Sequence, residues 1–195
     1  GLFGLYEVPW ILAQLSTVFV FLVIINAINF IDGIDGLAIS EVIKIIVLIE
    51  FFSDSQTALT ILAFLLILSL IPLYFFNFKK KGKVFLGDGG SLLLGTIVSI
   101  YIFHTLGTQY TIKAGLQINK VLFVLLVIFY PLLDLLRVFI LRIKKGKSPF
   151  EADQNHLHHF FQKYFLKHYQ ILLSIYFSSL LISTFIYMLI KHFNI

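Results

Sequence analysis

The sequence predicts an all-α, polytopic integral membrane protein of about six transmembrane helices, and three observations carry that expectation. Of its 195 residues 59% are hydrophobic, 22 of them Phe, and only 13% are charged; a soluble domain would carry about a quarter charged residues. The apolar residues gather into runs that approach or exceed the roughly 17–25 residues a spanning helix needs. Between the runs, Lys and Arg collect in alternate connections, the bias that places basic loops in the cytoplasm.

Six runs are expected to be helices: 10–30, 37–52, 58–77, 91–107, 121–141 and 170–190. The second is short and carries Lys44. The connection "NFKKKGKVFLGDGG" holds Lys79, Lys80, Lys81 and Lys83, and "RIKKGKSPFEADQNHLHHFFQKYFLK" holds Arg142, Lys144, Lys145, Lys147, Lys163 and Lys167. Their counterparts on the other side are poorer: "FFSDSQ" has no base, "HTLGTQYTIKAGLQINK" has Lys113 and Lys120, and the C-terminal tail has Lys191. The polar stretch 26–38 therefore shares the cytoplasmic side with both basic loops. Base confined to short loops gives no continuous stripe for a nucleic acid, and no such partner is expected. Cysteine is absent, which removes disulfides, thiolate metal sites and a cysteine nucleophile. The chain reads as a single membrane domain over 1–195. It begins with Gly and shows no signal peptide, so it is expected to be the C-terminal portion of a larger fold whose first spans are missing.

Three cytoplasmic connections hold nearly all the unusual polar residues. In "NAINFIDGIDGLA", Asn26, Asn29, Asp32 and Asp35 follow each other at steps of three. The asparagines fall in the last turns of the first helix. Gly33 and Gly36 permit positive φ and end it, and Asp35 is placed to cap the helix beginning near Leu37. A turn and a cap would account for either aspartate alone. Four such groups at the mouth of a membrane helix point to a site, because intramembrane polar groups are expensive.

The second connection, "VFLGDGGSLLLG", sets Asp88 between Gly87 and Gly89, with Gly90 and Ser91 opening the next helix. A helix N-terminus offers N–H groups and a positive dipole end to an anion. A carboxylate beside it can hold Mg²⁺, which is commonly bound through one or two carboxylates and substrate phosphates. A simple cap by Asp88 or Ser91 is the plainer alternative. The third, "KSPFEADQNHLHHFF", crowds His156, His158 and His159 beside Asp153, a cationic clamp for an anionic substrate rather than a zinc site. Within the fifth run, Asp134 stands three residues before Arg137, an internal ion pair by default.

In order, "NAINFIDGIDGLA", "FLGDGGSLLLG" and "RVFILRIKKGKSPFEADQNHLHHFF" resemble three cytoplasmic signatures of the polyprenyl-phosphate N-acetylhexosamine-1-phosphate transferases, the MraY/WecA/TagO family. The "SPFEADQNHLHH" form is more similar to the WecA/TagO branch. The resemblance covers essentially the whole chain, but only the C-terminal part of the family's fold.

It implies a Mg²⁺-dependent enzyme of the bacterial inner membrane, with Mn²⁺ as a substitute and an active site facing the cytoplasm. That enzyme transfers a sugar-1-phosphate, GlcNAc-1-phosphate in this branch, from a UDP-sugar to undecaprenyl phosphate, and releases UMP at the first membrane step of cell-envelope glycan synthesis. By resemblance Asp88 and Asn29 bind the metal. Asn26, Asp32 and Asp35 line the nucleotide-sugar pocket, and His156, His158 and His159 hold the diphosphate. Asp88, Asp32, Asp35, His158 and His159 are the catalytic set so implied. A homodimer is left open. The family also carries an aspartate pair on an earlier loop, which has no counterpart here, so the isolated 195 residues are expected to be inactive.

Three other readings compete. An ion-coupled transporter would want its polar groups near the midplane and an inverted repeat; an intramembrane prenyltransferase would want denser aspartates and leaves the histidines unexplained. A non-catalytic remnant would keep the fold without the chemistry.

Overall fold

The basic connections and the apolar runs assemble into helices whose ends set the polar residues together. The computed structural model describes residues 9–54, 56, 59–79, 81–114, 118–146, 148 and 168–193. Among them the helices are α1 (Trp10–Phe30), α2 (Leu37–Phe52), α3 (Thr60–Asn77), α4 (Gly87–Leu106), α5 (Lys120–Val127), α6 (Phe129–Lys144) and α7 (His168–Phe193). The described residues form an all-α membrane architecture: α1, α3, α4 and residues 169–188 of α7 are each long and apolar enough to cross a bilayer. Large apolar side chains face outward along them, Trp10, Phe19, Ile61, Phe64 and Phe177 among them. Exposed apolar surface on this scale marks a lipid or partner face.

One of the six expected spans differs from expectation. The helix over 37–52 forms with the expected bounds; its 16 residues are few for a span, yet it runs from the end that carries Asn77 to the end that carries Asp54. It is the central helix. Leu37, Val42, Ile45, Ile46 and Ile49 are fully buried, and α3, α4 and α5 pack around it. The span expected at 121–141 is two helices, α5 and α6, bent by 74°. Pro131 explains the break. It has no N–H to offer the carbonyl of Val127, and its ring clashes there, so α5 ends at Val127.

The tightest pairing joins α1 and α4, which run antiparallel. Ser91, Gly95 and Ser99 recur every four residues on α4, a small-residue stripe of the kind that lets membrane helices approach closely. A Cβ on Gly95 would stand 2.8 Å from the Cα of Ile25, so only glycine fits that approach. One turn on, Ser99 Oγ donates to the Gly95 carbonyl of its own helix at 2.9 Å and stands 3.4 Å from the Phe21 carbonyl; beyond it, Phe21 stacks on Phe103 with centroids 6.0 Å apart. At the opposite end of the molecule from Ser91, the Asp54 N–H donates to the Thr111 carbonyl and the Lys113 N–H to that of Phe52, tying the α2–α3 connection to the α4–α5 connection. Asp134 is fully buried on α6.

Candidate functional site

The site forms where α1 ends, α2 and α4 begin, and the chain leaving α3 passes between them. Its first part is the turn 31–36. The repeat Ile-Asp-Gly divides by burial: Ile31 and Ile34 are in the core, at 0% and 3% exposure, and anchor the turn, while Asp32 and Asp35 are half-buried at its surface. Gly36 has φ 75°, a conformation in which a side chain is strained. A Cβ there would also run into the rings of Phe78 and Tyr74. The Gly36 N–H donates to Asn77 Oδ1 at 2.5 Å, and Asn77 Nδ2 donates to the Val84 carbonyl at 2.8 Å. One buried amide thus bolts the turn to the segment ahead of α4.

Asp35 does not cap α2, contrary to expectation. Gly36 occupies the cap position in its left-handed conformation, with no side chain bonded to the helix end. The carboxylate of Asp35 instead meets Lys83, whose Nζ lies 2.6 Å from Oδ1 and 2.7 Å from Oδ2. Lys83 also lies over the ring of Phe85, 4.7 Å from its centroid. Helix α4 begins at Gly87, φ 66°, earlier than the expected start near 91, so Asp88 is in its first turn. No side chain caps that end, so neither Asp88 nor Ser91 is the plain cap that stood as the alternative. Ser91 is fully buried and links the two helices: Asn29 Nδ2 donates to Ser91 Oγ at 2.7 Å, and Ser91 Oγ donates to the Asp88 carbonyl at 3.2 Å.

Three carboxylates therefore share one corner. Burial, then the charge of Asp88, then that of Asp35, pushes the carboxyl of Asp32 from its ordinary 3.8 up to about 7. Lys83 offsets the charge of Asp35; Asp32 is held toward its protonated form instead. A cation placed between Asp32 and Asp88 would relieve that repulsion. Among the described residues no three His, Cys, Asp or Glu side chains group closely enough to hold a metal by themselves. Mg²⁺ does not ask for that. It takes one or two carboxylates and completes its shell with water and substrate phosphates, so the oxygen donors of Asp88, Asn29 and Asp32 fit it.

Of the residues the sequence singles out, Asn29, Asp32, Asp35 and Asp88 come together. Asn26 does not join the hydrogen bonds of this cluster. It is exposed, and its Nδ2 donates to the Leu22 carbonyl of its own helix at 2.7 Å. His156, His158 and His159 lie outside the described residues. The helix leading toward them does reach the site: Arg142, buried in the last turn of α6, has its guanidinium carbon 5.6 Å from the ring centroid of Phe30. Sequence reasoning missed Asn77, Lys83, Ser91 and Arg142 as site residues. Only Ser91 carried a readable signal, the four-residue repeat with Gly95 and Ser99.

Comparison with known proteins gives a family. The model of glycosyl transferase family 4 matches residues 1–106, more than half the chain. An undecaprenyl-phosphate alpha-N-acetylglucosaminyl 1-phosphate transferase of Pasteurella multocida is 37% identical over 136 residues, 67% of this chain and 36% of the relative. The protein of that name from Haemophilus influenzae is 39% identical over the same shares. That of Escherichia coli K12 is 34% identical over 110 residues, 54% of this chain and 28% of its own. The match takes in little more than a third of the length of the first two. No solved structure matches the chain.

Proposed function

The chain belongs to glycosyl transferase family 4, and from that premise we propose that it is part of an enzyme moving GlcNAc-1-phosphate from UDP-GlcNAc onto undecaprenyl phosphate with release of UMP. Its relatives bear the name of that transfer. The observation that carries the reading is the meeting of Asn29, Asp32 and Asp88 at one end of apolar helices, joined by the Asn29–Ser91 bond. That end also carries Lys79, Lys81, Lys83, Arg142 and Lys144, the charge bias of a cytoplasmic face. A bacterial inner membrane with the site facing inward is the setting we assign.

In the reaction an oxygen of the lipid phosphate attacks the sugar-bearing phosphorus of the donor. A P–O bond forms there as the bond to the bridging oxygen breaks, and UMP leaves with that electron pair. Both partners are anionic, so the protein's task is alignment and charge stabilisation. Asp88 and Asn29, with Asp32 beside them, would hold Mg²⁺ or Mn²⁺, which when bound would supply positive charge to the diphosphate oxygens and the departing phosphate. The first-turn N–H groups of α4, beside Asp88, add donors and the positive end of a helix dipole for the same oxygens. Asp32, Asp35 and Asn26 are assigned to the nucleotide sugar, and His156, His158 and His159 to its diphosphate. A phosphate monoester has a second pKa of about 6, so the acceptor arrives largely dianionic and needs no strong base from Asp32.

Membranes containing the full-length protein, given UDP-GlcNAc, undecaprenyl phosphate and Mg²⁺, are expected to release UMP. No UMP, with lipid and metal verified, overturns the reading and favours a non-catalytic remnant.

A further inference from the structure

We propose that Ser91 is a positioning residue that fixes which end of the Asn29 amide faces the cation. The inference deepens the reading above and rests on it.

Asparagine carries an oxygen on one side of its amide and an NH₂ on the other, and only the oxygen can bind a metal. Nothing in asparagine itself decides which side faces the site. Here the decision comes from one hydroxyl with one proton. Ser91 Oγ directs that proton to the Asp88 carbonyl, 3.2 Å away. With the proton so directed its lone pairs face Asn29, and Nδ2 donates to Oγ at 2.7 Å. A flipped amide would take the hydroxyl's one proton for its own oxygen, at the cost of the bond to the Asp88 carbonyl, and would turn its NH₂ toward the cation. The amide oxygen is thus turned away from Ser91 and left to a ligand.

The arrangement holds because the register between α1 and α4 is fixed elsewhere. Ile25 lies one turn before Asn29, and Gly95 one turn after Ser91. The Ile25 backbone lies so close to Gly95 that a methyl group would stand 2.8 Å from its Cα. Ser99, a further turn on, sets its small side chain 3.4 Å from the Phe21 carbonyl. The three contacts step along both helices four residues at a time, and the Asn29–Ser91 bond is the rung at the site. Ser91 itself is fully buried, so water does not take over its role without rearrangement. Partners that orient metal ligands typically change metal affinity about 10–100-fold when removed.

The test measures Mn²⁺ affinity of the purified full-length protein by electron paramagnetic resonance, alongside its thermal unfolding midpoint. Ser91→Ala is expected to weaken Mn²⁺ binding at least about tenfold while the folded protein is retained. Asn29→Asp supplies the control, because a carboxylate offers oxygen on both sides and needs no orientation. In that background Ser91→Ala is expected to change Mn²⁺ affinity by less than about twofold, a non-additivity read as a double-mutant cycle. An equal loss in both backgrounds, or no loss in either, overturns the proposal while wild type still binds Mn²⁺. Wild type that binds no Mn²⁺ overturns the metal site itself, and the role of Ser91 with it. If Ser91→Ala lowers the midpoint so far that no folded protein remains, the cycle is read with Ser91→Cys, whose weak donor and acceptor sulfur predicts an intermediate affinity. Wild-type affinity in Ser91→Cys also overturns the proposal.

Discussion

Two polar clusters flank the start of α2, and they are built in opposite ways. On one side, residues 29–36 meet residues 77–91 through side chains far apart in sequence: Asn29 with Ser91, 62 residues away, Lys83 with Asp35, 48 away, and Gly36 with Asn77, 41 away. On the other side, fully buried Glu41 bonds to Lys44 three residues along its own helix, at 2.5 Å. Its second oxygen, Oε1, and the nearby Tyr130 hydroxyl are buried with no hydrogen-bond partner among the described residues. The first cluster joins segments through hydrogen bonds between residues far apart in the chain; the second faces α6 and α7 through ring and charge contacts, with Lys44 Nζ 5.4 Å from the ring centroid of Tyr176 and Glu41 within electrostatic reach of Tyr130 and Tyr176. Buried polar groups are expected to find partners. Where they do so across the chain, they fix geometry, and a reaction that depends on alignment needs geometry fixed.

Substitutions separate the two. The largest effect is expected at Asp88. Asp88→Asn in the full-length protein removes the carboxylate assigned to the cation, and UMP release is expected to fall by more than about 100-fold, beyond what loss of an outer partner brings. A near-normal rate would remove Asp88 from the metal role. Next comes Asn77→Ala, which leaves the Gly36 N–H and the Val84 carbonyl without their shared partner. The Gly36 N–H is buried, so orphaning it is a loss of roughly 1–3 kcal/mol, measured as thermal stability, with turnover falling alongside; Val84 is exposed, and its carbonyl can turn to water. Asn77→Asp can still accept from Gly36 but sets a carboxylate oxygen against the Val84 carbonyl in a buried site, so at neutral pH it is expected to lose at least as much as alanine does. A smaller loss than alanine's would locate the energy in the Gly36 bond alone.

These bonds also explain what could be read from the sequence. The bounds of α1 and α2 match the expected 10–30 and 37–52, because apolar runs stop at Ile-Asp-Gly and at Ser53-Asp54. The bend between α5 and α6 escaped notice, since a proline inside a hydrophobic run barely lowers its hydropathy. Capping is a rule about neighbours and gives Asp35 a local role, while its partner Lys83 lies 48 residues downstream, in a basic run that by itself marks only sidedness. Asn77 is the last residue of the expected run 58–77; the role of its buried amide follows only from Gly36 and Val84 on either side of it. The gathering of Asn29, Asp32, Asp35 and Asp88 was legible because four expensive groups fell on one side of the membrane.

A smaller, graded effect is expected from pH. Folding lifts Asp32 from 3.8 to about 7, so between those values the folded protein holds a proton that the unfolded chain has released. Stability of the cation-free protein is then expected to fall as pH rises through that window, and Asp32→Asn to abolish this slope. Mn²⁺ shows the opposite trend: the cation favours the ionised carboxylate, so its affinity is expected to rise as pH climbs through about 7. An affinity indifferent to pH would separate Asp32 from the cation.

The smallest effect is expected in the second cluster, and it is the one that most directly breaks the comparison. Tyr130 is buried on α6, at 4% exposure, within electrostatic reach of Asp134 and Glu41, yet its hydroxyl has no hydrogen-bond partner among the described residues. Removing a hydroxyl that makes no bond deletes a desolvated polar atom and nothing else, so Tyr130→Phe is expected to shift stability by no more than about 0.5 kcal/mol, in either direction. Asn77→Ala, of similar burial, is expected to exceed it several-fold in the same unfolding assay. Should Tyr130→Phe destabilise by as much as Asn77→Ala, the Tyr130 hydroxyl bonds a group beyond the described residues or a buried water. The second cluster would then hold its helices by hydrogen bonds as the first one does, and the contrast between the two would be lost.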